Sequence, residues 1–169
     1  PFYAPASRPP PQPEGDLCAE FVTGAAMLLD VQRLRALGGF DPWFFLYFED
    51  DDLCLRVRRA GHAIVVAHAA HVLHRVRRSS APSVRSTLRR YYCMTLSKLY
   101  LTRKVIGLRS CVAAALRAGF GSLVALPFAL PFALFASRRE RFYRHAARLA
   151  AALMAWMHLR RAHCLEPDR

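Results

Sequence analysis

Four consecutive acids, Glu49-Asp50-Asp51-Asp52, are the residues of this sequence best equipped for chemistry. Adjacent carboxylates repel, so the run needs a compensating partner. Either a helix start, with its partial positive charge and free N–H groups, or a bound cation can supply one. Spacing alone leaves both a bland and a chemical reading open. In the first, the acids simply open a helix. In the second, they serve a site, because they follow the aromatic stretch Trp43-Phe44-Phe45-Leu46-Tyr47-Phe48. Burial of that stretch would set the acids at the mouth of a pocket, where a carboxylate can work as a general base. Asp50-Asp51-Asp52 also fits a bare DxD metal pattern. The base reading is preferred here, because the acids follow Gly38-Gly39-Phe40-Asp41 and open a helix.

The other candidates have two readings each. Trp43, Phe44 and Tyr47 offer either a stacking surface for a ligand or ordinary core packing. Gly24, beside Ala25, is either a packing glycine or a point where a ligand approaches the backbone. His71 and His74 lie three apart, on opposite faces of an extended strand, which argues against a metal shared between them. Arg85, Arg89 and Arg90 either touch phosphate or lipid or line a solvated helix face.

The elements that must position these groups follow from periodicity and punctuation. Residues 1–16 are proline-rich and form a linker. Residues 20–29 form a mostly buried strand interrupted by Gly24. Asp30 caps a short helix over 31–37, which Gly38-Gly39 ends. A helix over about 51–60 stops at Gly61, and the β-branched run 63–67 is a strand. Residues 82–106 form a basic amphipathic helix with Leu88, Tyr92, Leu96, Leu99 and Tyr100 at helical spacing. Residues 118–136 are uncharged throughout, near the minimum for a bilayer span, with Pro127 and Pro131 as kinks. They suit a span, a hairpin in one leaflet or a buried helix. Residues 138–161 form a second basic amphipathic helix, with Leu149, Leu153, Trp156 and Met157 on one side.

Composition narrows the partners. The formal net charge is +13 over 169 residues, almost entirely from arginine. Such a charge implies an anionic partner: phospholipid, nucleic acid or a phosphorylated substrate. The basic residues flank apolar runs, which favours a membrane surface over nucleic acid. Five cysteines, an odd count without a CxxC pair, argue against a disulfide framework or a structural zinc site and for a reducing compartment. The chain begins with Pro1 inside the proline-rich stretch, as a truncated record or gene fragment would.

Two strings carry a more specific message: Gly24-Ala-Ala-Met-Leu-Leu29, and the long run Gly38-Gly-Phe-Asp-Pro-Trp-Phe-Phe-Leu-Tyr-Phe-Glu-Asp-Asp-Asp-Leu-Cys-Leu-Arg-Val-Arg-Arg-Ala-Gly61. Over about residues 16–106 the chain resembles glycosyltransferase family 2, in particular its rhamnosyltransferase-like members with a GT-A fold. The resemblance implies an α/β fold class: the C-terminal portion of a GT-A domain, followed by basic and apolar helices. It divides the chain into a linker (1–15), an acceptor-side half of the catalytic domain (16–80), an amphipathic helix (81–107) and an apolar/basic helical tail (108–169). It matches Asp50 to the family's general base, with Glu49 beside it, and Asp52 to the second acid of the motif, which holds local structure or contacts the acceptor. Asp51 stands where the family usually has an apolar or small residue.

Further implications concern ligands. His74 matches a histidine that helps ligate a divalent metal, Mg or Mn. Arg75-Val-Arg-Arg-Ser-Ser80 replaces a Gly/Ser-rich loop. Gly24, Ala25, Trp43 and Tyr47 are the substrate-binding candidates. The implied activity is inverting transfer of a sugar from a nucleotide-sugar donor to a polysaccharide or lipid-linked acceptor, in cell-wall polysaccharide biosynthesis at the cytoplasmic face of the inner membrane. A missing N-terminal, nucleotide-binding half of the same enzyme is the expected partner, without which the chain would be inactive. The alternative is a non-catalytic basic membrane-associated protein whose acids only cap a helix.

Overall fold

The computed structural model describes residues 15–73, 83–134 and 139–163. The only β-structure among them is a two-stranded antiparallel ribbon. Strand β1 (Leu17–Ala19) pairs with β2 (Ile64–Val66), with Cys18 opposite Val65. The Asp16 carboxylate accepts the His68 N–H at 2.9 Å and extends the pairing by one more bond. The expected α/β sheet is therefore corrected to a ribbon plus helices. The physical reason lies in residues 20–29, which form no strand: Leu28 is fully exposed, and the Gly24 N–H goes to a side chain rather than to a ladder.

Two helices lie between the strands. Helix α1 (Val31–Ala36) starts where expected, because the Asp30 carboxylate accepts the N–H groups of Gln32 and Arg33 at 2.9 and 3.1 Å. Helix α2 (Glu49–Arg59) begins two residues earlier than the sequence reading, so all four acids occupy its first turn. Arg56, Arg58 and Arg59 occupy its last turn, complementing the helix dipole at the other end. Gly61, at φ +80°, follows the cap and lets the chain leave the helix in the left-handed region.

Three long helices complete the described residues: α3 (Val84–Val105), α4 (Leu108–Ala129) and α5 (Arg139–His163), with a 3-10 turn (Leu130–Leu134) after α4. Helix α3 carries a capping box: the Ser83 hydroxyl accepts the Ser86 N–H, and the Ser86 hydroxyl accepts the Ser83 N–H, both at 3.0 Å. The apolar helix starts at Leu108, ten residues before the uncharged run, and passes through Pro127. All three long helices pack on one another. Their contact is made by small residues: Ala147, Ala151 and Ala155 are buried at four-residue spacing on one face of α5. A Cβ on Gly119 would lie 3.4 Å from Ala152, a tight approach of α4 and α5. Leu99 of α3, Cys111 of α4 and Ala155 of α5 form a shared buried cluster.

Candidate active site

The acids of α2 are set in place by an unusual approach. Tyr47 and Phe48 both adopt φ +68°, in the left-handed region, a conformation that costs a non-glycine residue about 1–2 kcal/mol. Phe48 provides no side-chain cap for α2. The aromatic loop is held in this shape from α3. The Ser97 hydroxyl donates to the Leu46 carbonyl at 2.9 Å, and the Phe44 ring meets Tyr100 edge-on at 4.9 Å. The Arg89 guanidinium covers the Phe45 ring at 4.7 Å. The bend delivers Glu49 and Asp50 directly into the first helical turn.

Once there, the acids have different fates. Asp50 is half-buried. One of its oxygens accepts the Gly24 N–H at 2.8 Å, across 26 residues of sequence, and the other accepts the Asp51 N–H at 3.0 Å. A carboxylate offers about four acceptor positions, so two remain for another donor. Gly24 is thus brought against Asp50, with Ala25 next to it, where the Ala25 N–H donates to the Thr23 hydroxyl. One oxygen of Glu49 is shielded and has no hydrogen-bond partner. Asp51 has its carboxyl pushed up, first by burial and then by the charges of Asp50 and Glu49.

Asp52 is different in kind. It is almost completely buried, and both of its oxygens are ion-paired, one to Arg56 and the other to Lys104, each at 2.8 Å. Lys104 also reaches Asp41 at 2.7 Å, and the Tyr100 hydroxyl donates to that same Asp41 oxygen at 3.0 Å. Arg56 donates in addition to the Leu37 carbonyl at 2.7 Å. Burial raises the Asp41 carboxyl, but the Lys104 ammonium, the Trp43 N–H and the Tyr100 hydroxyl outweigh it and leave the group below the ordinary range. Both Asp52 oxygens are committed to a network tying α2, the aromatic loop and α3 together. The sequence reading missed Asp41, Arg56 and Lys104 as members of that network. The i, i+4 spacing of Asp52 and Arg56 could have exposed the first link.

Among the described residues no group of three His, Cys, Asp or Glu side chains is arranged to hold a metal ion. Asp50 and Asp52 do not form a usable DxD pair, since Asp52 is neutralised by two cations. His74, the expected metal ligand, lies outside the described residues. The described acids thus do not by themselves assemble a divalent-metal site.

The aromatic candidates are drawn towards α3. Trp43 lies 5.9 Å from the Tyr100 ring and lines a cavity of about 230 Å³ with Phe45, Tyr92, Leu96 and Ser97. Asp50 is not among the residues lining it. Tyr47 is half-buried at the strained bend.

Residues 14–93 match the family model described as glycosyltransferase like family 2. This glycosyltransferase-like segment contains the ribbon, the Gly24–Asp50 contact and the four acids, and it ends within α3. It occupies the N-terminal portion of the chain, with further helices after it. That position corrects the expectation of a C-terminal half-domain, and with it the missing N-terminal half expected as a partner. A curated relative, the rhamnosyltransferase WbbL of Escherichia coli (strain K12), is 37 % identical over 67 residues, which cover 38 % of this chain and 25 % of that protein. The chain thus matches about a quarter of the relative's length. No solved structure matches. The chain has glycosyltransferase-like character at the level of the family.

Proposed function

We propose that the chain takes part in sugar transfer, with Asp50 as the general base that deprotonates an acceptor hydroxyl. The supporting observation is the placement of its carboxylate. It is half-buried in the first turn of α2, oriented by the Gly24 N–H, and retains acceptor positions while Asp52 is fully engaged. A sugar hydroxyl is a weak nucleophile at neutral pH. In the proposed step its proton passes to Asp50 as its oxygen bonds to the anomeric carbon of a nucleotide sugar. The anomeric carbon–phosphate oxygen bond breaks, and the nucleoside diphosphate leaves with the electron pair, inverting that carbon. Gly24 and Ala25 would border the acceptor. On this reading the acceptor is a polysaccharide or lipid-linked glycan, and the chain works at the cytoplasmic face of the inner membrane in polysaccharide assembly.

The test is Asp50→Asn in the native protein, with sugar transfer to the acceptor as the readout. Turnover should fall by roughly 10²–10⁴-fold, while Asp51→Asn stays near the parent rate. Unchanged turnover in Asp50→Asn would remove the base assignment. It would favour the second reading, a basic membrane-associated protein whose acids only open a helix. That reading draws on the position of all four acids in the first turn of α2.

A further inference from the structure

Helix α4 is long and apolar enough to cross a bilayer, yet only 11 % of its most apolar window is buried. Its exposed side carries Leu116, Phe120, Leu123 and Phe128, and α5 adds Leu153 and Met157 beside it. Phe120 is 72 % exposed and Leu153 is 71 % exposed, and with Leu116 and Leu123 they border one groove, a contiguous apolar surface of the kind that marks an interaction site. A groove of about 640 Å³ runs between the two helices in this face, floored by Gly119 and Ala152.

We propose that this face lies flat in the headgroup–acyl boundary of an anionic bilayer, and that α4 does not cross it. Three observations select that occupant and that pose. First, Arg109 and Arg117 are both exposed on α4, and Arg117 stands near the middle of the helix. A crossing helix would hold it in hydrocarbon, whereas a helix lying in the interface lets both side chains reach phosphates. Second, α3 packs against α4 and α5, and the same α3 is bonded to the polar segment through Ser97–Leu46 and Lys104–Asp41. Sinking α4 through the membrane would drag charged Asp41, Asp52 and Lys104 with it. Third, a second copy of the chain is a poor occupant, because it would set a +13 charge against another and bring Arg109 and Arg117 towards their counterparts. An anionic lipid surface satisfies both the apolar face and its arginines. This docking requires no catalytic role for Asp50.

The experiment is co-flotation of the full chain with phosphatidylcholine vesicles, with and without phosphatidylglycerol. Binding should favour the anionic vesicles and weaken with salt. Leu116→Asp with Phe120→Asp should lower partitioning roughly tenfold or more, with helical circular dichroism unchanged because both residues are exposed. Arg109→Gln with Arg117→Gln should weaken the preference for phosphatidylglycerol, and an unchanged preference would overturn the role of these two arginines in the pose. Alkaline carbonate should release the bound chain. Retention in the carbonate pellet would overturn the in-plane pose in favour of a crossing helix. Failure to bind vesicles would overturn the proposal, and sedimentation as a dimer dissociated by Phe120→Asp would then assign the face to self-association.

Discussion

Neighbouring carboxyl groups in one helical turn have opposite consequences for stability. Asp51 carries a raised carboxyl pKa, caused first by burial and then by Asp50 and Glu49. Its charged form is therefore disfavoured in the folded chain. That cost is fully present above the folded pKa and vanishes below the ordinary value of 3.8. Asp51→Asn should raise the melting temperature at pH 7, and the gain should shrink as pH falls towards 3.8. Thermal melts across that range would check it; an equal gain at every pH would show that charge is not the cause. Asp41 has the reverse sign. Its lowered pKa contributes stability above 3.8 that is lost as pH falls through the folded value.

Helix ends govern how these groups are presented. The first turn of α2 tolerates four acids because its N–H groups and dipole face them and its arginines lie at the far end. Its entry through two left-handed aromatic residues has no local compensation, so the Ser97–Leu46 bond and the Phe44–Tyr100 contact from α3 hold it. Helix α3 must therefore be well formed at its own start. Ser83→Ala removes the acceptor for the Ser86 N–H and should cost about 1 kcal/mol in denaturant unfolding. A loss indistinguishable from zero would mean that α3 is nucleated elsewhere.

Across the molecule, one ammonium group joins parts distant in sequence. Lys104 contacts Asp41 in the aromatic loop and Asp52 in α2, 63 and 52 positions away along the chain. Lys104→Met would leave two largely buried carboxylates short of a cation, with Arg56 still serving Asp52. The expected destabilisation is about 3 kcal/mol, the lower end for breaking a buried pair. Equilibrium unfolding would measure it. Lys104→Arg should recover part of the loss, because charge rather than packing is what the carboxylates need. The same coupling fixes α3, and through it α4 and α5, against the glycosyltransferase-like segment.

Local signals carried much of the helical structure. Asp30 as a cap, Gly61 as an exit, and the amphipathic periods of α3 and α5 are statements about a few neighbouring residues, and the observed helices follow them closely. The long acidic-aromatic string pointed to the family whose model matches residues 14–93, because it is contiguous. What failed was whatever depended on partners far along the chain. Residues 20–29 have strand-like composition but spend a backbone donor on Asp50, and no ladder forms. Asp50 and Asp52 stand two positions apart in one acidic run, and nothing local shows which cations each will meet. Only the arrival of Lys104 from α3, together with Arg56, turns Asp52 into a buried structural ion, while Gly24 orients Asp50. Side-chain type and spacing determine which groups can titrate or pair. Which of them meet is decided by the packing of segments tens of residues apart, and a carboxylate surrounded by cations no longer has the freedom to act as a base.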